Sequence, residues 1–576
     1  MKTNTSADRR PPAQPWWNPQ RSSGMPTHRY VRAEPRELLE PGTRTWLGRS
    51  PGRAPLWSSV DLRDGNQALA DPMDLRRKRK MFDLLVSLGV KDIEIGYPSA
   101  SETEFEFVRR LVTGGHIPDD VTVSVFTPAR PELIDRTFEA IRGLDNAIVH
   151  LCHATACLWR EVVFRKTPSE VMALARESAE QMMRLADRAK GAVRFEYSPE
   201  TFNVTEPEYA LEIANTVAEI VDATPQRPLT LNLPSTVEMH APDVFADQIE
   251  WMSRNLDRRD GIILSVHPHN DRGTAVAAAE FALAAGADRV EGTLFGNGER
   301  TGNVCLVTLA LNLFSRGIDP QLDLSDIQSV RRAVEECNQM PVPERHPYAG
   351  ELVFTAFSGT HQDAIAKGMA HLQDTAAAAG VPVAQLPWDV PYLPVDPQDL
   401  GRSYEAVIRV NSQSGKGGIA YVLHSRWGVE LPVPLRAEFA KVIQRVTDRS
   451  GTEVEPGRIW DTFRAEYCDP GDWAALAAGA SGADPVETLL GEVRERGVSA
   501  DVAQLVSDEA GPASGAAHVG YAQLLVADEL VWGAGQGATP DAAIVQAVLS
   551  ALHRSGARPA GRRAVPQLAG AREGAR

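Results

Sequence analysis

The chain has 576 residues, 43% of them hydrophobic, and a formal net charge of −16 at pH 7. That length exceeds one ordinary domain, although a parallel barrel of about 250 residues would take up much of it. The negative balance argues against nucleic acid as the main partner, and no uncharged apolar run reaches the ~18 residues that a membrane span needs. An anionic small molecule is not excluded, because a local cluster of Arg or Lys is enough to bind one. The five cysteines (Cys152, Cys157, Cys305, Cys337, Cys468) lack metal-type spacing. The polar, Pro-rich start has no apolar segment of the kind a secretory signal carries. Both features point to a cytoplasmic protein with reduced thiols.

Residues 1–52 are rich in Pro, Arg and Ser and carry the pair Trp16-Trp17. Two readings stand side by side: an arm docked on a partner subunit through its tryptophans, or a partly disordered tail. From Leu56 onward, short apolar runs alternate with amphipathic stretches. Strands are predicted at 57–62, 91–97, 121–126, 147–152, 193–197, 229–233, 261–265 and 289–294. Helices are predicted at 76–88, 102–112, 131–142, 168–189, 206–222, 242–255, 274–285 and 303–313. Eight strand-then-helix units in succession spell a (β/α)8 TIM barrel over residues 53–325, since a doubly wound open sheet rarely runs to eight such regular units. A barrel demands that chemistry sit at the carboxyl ends of the strands.

The seventh run ends in Val266-His267-Pro268-His269-Asn270-Asp271-Arg272-Gly273. Residues two apart in a strand project to one face, so His267 and His269 form half of a divalent-metal site or a hydrogen-bonded histidine pair. The first run ends in Asp61-Leu62-Arg63-Asp64-Gly65-Asn66-Gln67. There Asp64 offers the missing carboxylate and Arg63 suits a substrate carboxylate. After the eighth run, Gly296-Asn297-Gly298-Glu299-Arg300-Thr301-Gly302-Asn303 allows close backbone approach, and Asn303 adds a neutral oxygen ligand. Ser198-Pro199-Glu200 closes the fifth run, His150 lies in the fourth, and Asn232-Leu233-Pro234-Ser235-Thr236 closes the sixth. Each alone reads as a turn or a cap. Polar clusters at so many predicted strand ends do not.

Taken together, these motifs resemble the 2-isopropylmalate synthases, in particular the long form with an N-terminal extension found among actinobacteria. The resemblance covers roughly residues 15–430. It implies condensation of acetyl-CoA, as co-substrate, with the 2-oxo acid 2-oxoisovalerate. Asp64, His267, His269 and Asn303 would hold Mg²⁺, Mn²⁺ or Zn²⁺. Arg63, His150, Ser198, Glu200, Asn232 and Thr236 would bind substrate, with Arg63 and Glu200 also catalytic. Residues 326–432 would form small subdomains that reach over the barrel of the other subunit of a homodimer. By resemblance alone, His361 and Tyr392 join the active site from there. Residues 433–555 correspond to an α+β regulatory domain that senses leucine, and a basic tail, expected to be disordered, follows at 556–576.

The chain also departs from the family pattern. Leu151-Cys152-His153-Ala154-Thr155 replaces the usual Tyr-Asn-Ser-Thr after a similar His, and Phe126 stands where a smaller aliphatic residue is usual. A ring there would reshape the pocket for the keto acid's alkyl group. Gly479-Ala480-Ser481-Gly482-Ala483-Asp484-Pro485 lacks the family's Asn-Gly-Pro core, and Ser499-Ala500-Asp501 aligns with no family position, which sets leucine control apart as an open point. Residues 533–554 keep the look of the family's final turn and helix. Asn411 to Gly418 is no phosphate loop, because Val410 and Gly417 stand where Gly and Ser or Thr are required; a connecting turn is expected. The alternatives are a paralogue extending another 2-oxo acid, which the departures would fit, and a non-catalytic amino-acid sensor, against which the retained ligand set argues.

Overall fold

The computed structural model describes residues 42–404, 410, 416–450, 453–480 and 484–558, together with Met25, Arg29 and residues 38–40. Trp16-Trp17, most of the 411–418 turn, residues 481–483 and the basic tail beyond residue 558 lie outside the described residues. Eight strands close into a barrel: β1 (Leu56–Ser59), β2 (Asp92–Glu94), β3 (Thr122–Pro128), β4 (Asn146–Ala154), β5 (Ala192–Glu200), β6 (Leu229–Ser235), β7 (Ile262–Pro268) and β8 (Arg289–Gly292). All neighbours pair in parallel, and β1 closes the cylinder by pairing with both β2 and β8. The helices that follow the strands are α1 (Leu75–Ser87), α2 (Glu102–Thr113), α3 (Pro131–Ala140), α4 (Pro168–Ala186), α5 (Pro207–Ile220), α6 (Pro242–Asn255), α7 (Ala275–Ala284) and α8 (Leu306–Phe314).

Local signals account for these elements. Asp74 and Ser101 cap α1 and α2 by accepting from the amides of Arg77 and Glu104, and Thr167 with Glu170 forms a full capping box on α4. Prolines open α3, α4, α5 and α6, where a missing amide hydrogen leaves no bond unmade. In β6, Leu229, Leu231 and Leu233 are buried, as are Leu264 and Val266 in β7. Each such side chain contributes roughly 1.5–3 kcal/mol on burial. The alternate residues of the same strands, Thr230, Asn232, Ser265 and His267, are also buried. Asn232 bonds to Ser198 on β5 and Glu291 on β8, and Ser265 and His267 bond to Arg289 and Glu291 on β8, so the barrel has an apolar outer shell and a polar, charged interior.

Before the barrel, Trp46 is pinned on its own chain. Its Nε1 donates to Asp247 Oδ1 at 2.9 Å, Arg44 pairs with the same carboxylate, and its ring lies 5.2 Å from that of Phe281. After the barrel come α9 (Ile327–Asn338), α10 (Gly359–Ala379), α11 (Lys416–Trp427), α12 (Val433–Ser450), α13 (Pro456–Tyr467) and α14 (Pro485–Glu495). A three-stranded antiparallel sheet follows, with β9 (Ala500–Glu509), β10 (His518–Val526) and β11 (Glu529–Gly537) in the order β11-β10-β9, and α15 (Pro540–Arg554) lies on it. The stretch expected as a final turn is therefore the strand β11. Gly533 and Gly535 fall on the face that meets α15: a Cβ on Gly535 would stand 2.4 Å from the Ala543 oxygen, and one on Gly533 2.3 Å from the Ala547 oxygen. The glycines serve close helix–sheet contact rather than a turn.

Candidate active site at the barrel mouth

β1 ends at Ser59, and Asp61–Gly65 winds into a π-helical turn closed by the Gly65 amide donating to the Val60 oxygen at 3.0 Å. This wide turn presents Arg63 and Asp64 side by side. Arg63 donates through Nη1 to Asp64 Oδ1 (2.8 Å) and through Nε to Glu94 Oε2 (2.5 Å) at the end of β2. Glu94 Oε1 lies 2.6 Å from His150 Nδ1, and His150 Nε2 lies 2.7 Å from Ser198 Oγ. Asn232 Nδ2 donates to Ser198 Oγ and to Glu291 Oε2, both at 3.0 Å. Glu291 Oε2 is 2.9 Å from His267 Nδ1, and His267 Nε2 is 3.5 Å from Asp64 Oδ2, which closes a ring around the mouth. Burial opposes a charge on His267, but Asp64 at Nε2 and Glu291 at Nδ1 raise its pKa to about 9, so Nε2 faces Asp64 and offers a lone pair once its proton is given up.

His269 Nε2 stands 3.7 Å from the same Asp64 oxygen, and the ligating atoms of Asp64, His267 and His269 all lie within 4.8 Å of one another. Asn303 Nδ2 donates to Asp64 Oδ2 at 2.8 Å, while Asn303 Oδ1 is buried without a partner. Nδ2 also donates to the Asn297 oxygen at 3.1 Å, which fixes the amide beside Asp64 with its oxygen as the unused acceptor. One carboxylate, two imidazoles and an amide with an unpartnered oxygen make a donor set that suits a divalent cation.

Burial opposes the charge on Asp64, but Arg63, His267 and His269 hold its carboxyl well below the usual carboxylate range. Burial and the neighbouring His267 push His269 down to about 4, which keeps a lone pair free. Glu200 at the end of β5 has no hydrogen-bond partner for its carboxyl among the described residues. Burial raises its pKa, Arg63 opposes the rise and Asp64 adds to it. Thr201, next in the chain, adopts a left-handed backbone (φ 62°) and donates its amide to Thr236 Oγ1 at 2.9 Å. That bond leaves the Thr236 hydroxyl proton available. Asn232 Oδ1 is buried and unpartnered as well.

Arg63, Asp64, His150, Ser198, Asn232, His267, His269 and Asn303 are thus brought together in one bonded cluster, with Glu200 and Thr236 at its edge. His361 and Tyr392 stack on each other, ring centroids 3.9 Å apart, but both are exposed and no described contact joins them to the mouth. Glu94, Glu196, Arg289 and Glu291 escaped the sequence reading. Their signal was a charged residue inside a short, otherwise apolar strand run.

A closed parallel barrel whose strand ends carry a buried carboxylate–imidazole group defines a TIM barrel with a mouth whose side chains could hold a metal ion. The HMGL-like family model matches residues 54–334, and the model described as alpha-isopropylmalate synthase, post-catalytic domain-like, matches residues 351–424. A 2-isopropylmalate synthase of Pseudarthrobacter chlorophenolicus is 50% identical, over 93% of this chain and 99% of that one. Those of Mycobacterium ulcerans and Mycobacterium leprae are 51% and 56% identical, covering 92% and 80% of this chain and 100% and 76% of theirs. The chain belongs to the 2-isopropylmalate synthase family. These relatives favour the synthase reading over a paralogue with another substrate or a silent sensor. Among the described residues, no helix is long and apolar enough to cross a membrane.

Proposed function

We propose that the chain condenses acetyl-CoA with 2-oxoisovalerate and water to give 2-isopropylmalate and CoA, the first committed step of leucine biosynthesis. The observation that carries this reading is the convergence of Arg63, Asp64, His267 and His269 at the barrel mouth, in a chain half identical to such synthases over nearly its whole length. Asp64, His267, His269 and the oxygen of Asn303 would hold Mg²⁺, Mn²⁺ or Zn²⁺. A bound ion would polarise the ketone of the 2-oxo acid as a Lewis acid.

The chain's own groups supply the rest. Arg63, kept charged by Glu94 and Asp64 against burial, stabilises the negative charge that develops on the ketone oxygen. His150, Ser198, Asn232 and Thr236 orient the keto acid; the spare Asn232 Oδ1 and the Thr236 hydroxyl are the bonding capacity left over for it. A base removes a proton from the acetyl methyl group, and that carbon bonds to the ketone carbon. The ketone oxygen takes up a proton, and water then cleaves the thioester and releases the CoA thiol. Glu200, with its raised pKa, and the His361–Tyr392 pair handle these protons. The pair would reach the mouth from the second copy of a homodimer. Leucine, acting through the segment that holds β9 to β11, is the effector this reading expects.

Thiol release from acetyl-CoA, measured with 2-oxoisovalerate, pyruvate, 2-oxobutyrate, 2-oxoglutarate and a longer branched 2-oxo acid, each with and without leucine, tests the reading. The expected result is the highest kcat/KM with 2-oxoisovalerate and a lower rate with leucine. Absence of thiol release with every acid would remove the synthase reading.

A further inference from the structure

Below the mouth, the lumen is centred on Arg289, which is 1% exposed. Its Nε donates to Asp92 Oδ2 at 2.9 Å, its Nη1 to Ser265 Oγ at 2.9 Å and Glu196 Oε1 at 3.2 Å, and its Nη2 to Ser58 Oγ at 2.9 Å and Glu196 Oε2 at 3.2 Å. Nη1 also donates to Glu291 Oε1. Carboxyls from β2, β5 and β8 therefore share one guanidinium, and burial, opposed by Arg289 and aided by Glu291, raises the Glu196 carboxyl well above the usual carboxylate range. The second oxygen of Glu291 is the one that lies 2.9 Å from His267 Nδ1 and accepts from Asn232.

Glu291 is thus held at both ends, by Arg289 Nη1 at Oε1 and by Asn232 and His267 at Oε2, and loss of the guanidinium would release the end that fixes its distance from His267. A planar fork with five donors spans three walls of the barrel; a lysine ammonium has three donors at one point and cannot reach all of them in the same geometry. We propose that Arg289 is a positioning residue for the metal site, pressing Glu291 against His267 so that the imidazole keeps Nε2 aimed at Asp64. This rests on the reading of Asp64, His267 and His269 as metal ligands. Partners of metal-ligating histidines tune metal affinity by about 10–100-fold, and Arg289 would act one bond further out.

The test uses the full chain, stripped of metal by a chelator and titrated with Mn²⁺ by electron paramagnetic resonance, with the Tm of each metal-free variant recorded. Arg289→Lys and Glu291→Gln are expected to weaken the Mn²⁺ Kd about tenfold or more. Glu196→Gln, which touches Arg289 but not His267, should stay within about twofold. A structural role alone would lower the three Tm values without separating the Kd values, and that result overturns the proposal. If Arg289→Lys does not fold, the same change is made in the Glu196→Gln background, where the buried side chain at 196 can no longer ionise. A Kd about tenfold weaker than that of Glu196→Gln supports the proposal, and an equal Kd overturns it. Wild-type protein that binds no Mn²⁺ removes the ligand reading together with this one; wild-type binding with unchanged variants removes this one alone.

Discussion

Phe126 offers its ring face to the guanidinium of Arg63, with Cζ 4.9 Å from the centroid, and meets His150 edge-on at 5.3 Å and Tyr97 at 5.1 Å. The ring is therefore packed against two of the side chains proposed to bind the keto acid, Arg63 and His150. Leucine in its place would free room and give up a cation–π contact of about 0.5–1 kcal/mol. Phe126→Leu is expected to shift the ranking of 2-oxo acids toward chains longer than 2-oxoisovalerate. One methylene in an apolar pocket is worth about 1–3 kcal/mol, so the relative kcat/KM should move roughly tenfold. Steady-state thiol release with the acid panel measures this. An unchanged ranking would mean that the ring lies outside the alkyl pocket.

At the scale of elements, β11 and α15 make a sharper demand. Their backbones approach so closely that any side chain at Gly535 meets helix backbone, the Ala543 oxygen and the Ala547 nitrogen, both 2.4 Å from a Cβ. Backbone cannot step aside as a flexible side chain can. Gly535→Val is expected to destabilise this sheet by about 3 kcal/mol, the upper end of overpacking, visible as an early calorimetric transition. The barrel transition and metal binding should stay in place; a single unshifted transition would contradict the close contact. The same strand marks a limit of sequence reading. A Gly-rich stretch reads as a turn unless the partner that needs the glycines is known. The barrel was legible because its outward-facing leucines and valines keep their apolar signal whatever lines the lumen. Glu94, Glu196, Arg289 and Glu291 were not, because a charge inside a strand reads as facing solvent until the sheet closes around it. Asp64, His267, His269 and Asn303 were legible because they fall just past strand ends, where a barrel concentrates chemistry. Strand β1 was overextended because nothing in Asp61 to Gly65 announces the π-helical turn that brings Arg63 beside Asp64.

At the scale of the molecule, the weight falls on where the His361–Tyr392 pair works. Tyr392 holds a left-handed backbone (φ 66°) and is 59% exposed, stacked on a histidine in the first turn of α10. A strained, solvent-facing aromatic pair has little to gain by packing within its own chain. Proton transfer, in contrast, requires it to lie within hydrogen-bond reach of the acetyl group. If each mouth is completed by the other copy, two dead variants should restore one another. Asp64→Asn spoils the mouth of its own chain, and His361→Ala spoils the mouth of its partner. In a mixed dimer one site then carries both defects while the other carries neither. After unfolding and refolding an equimolar mixture, half of the dimers are mixed and half of their sites are intact, so about a quarter of wild-type thiol release should return. Each variant refolded alone should stay inactive, and both should sediment as dimers. A mixture that remains as inactive as its components would place His361 at the mouth of its own chain, and an active His361→Ala on its own would place it outside the reaction. Metal binding separates those two outcomes from misfolding, because His361→Ala leaves Asp64, His267 and His269 untouched and should titrate with Mn²⁺ as wild type does.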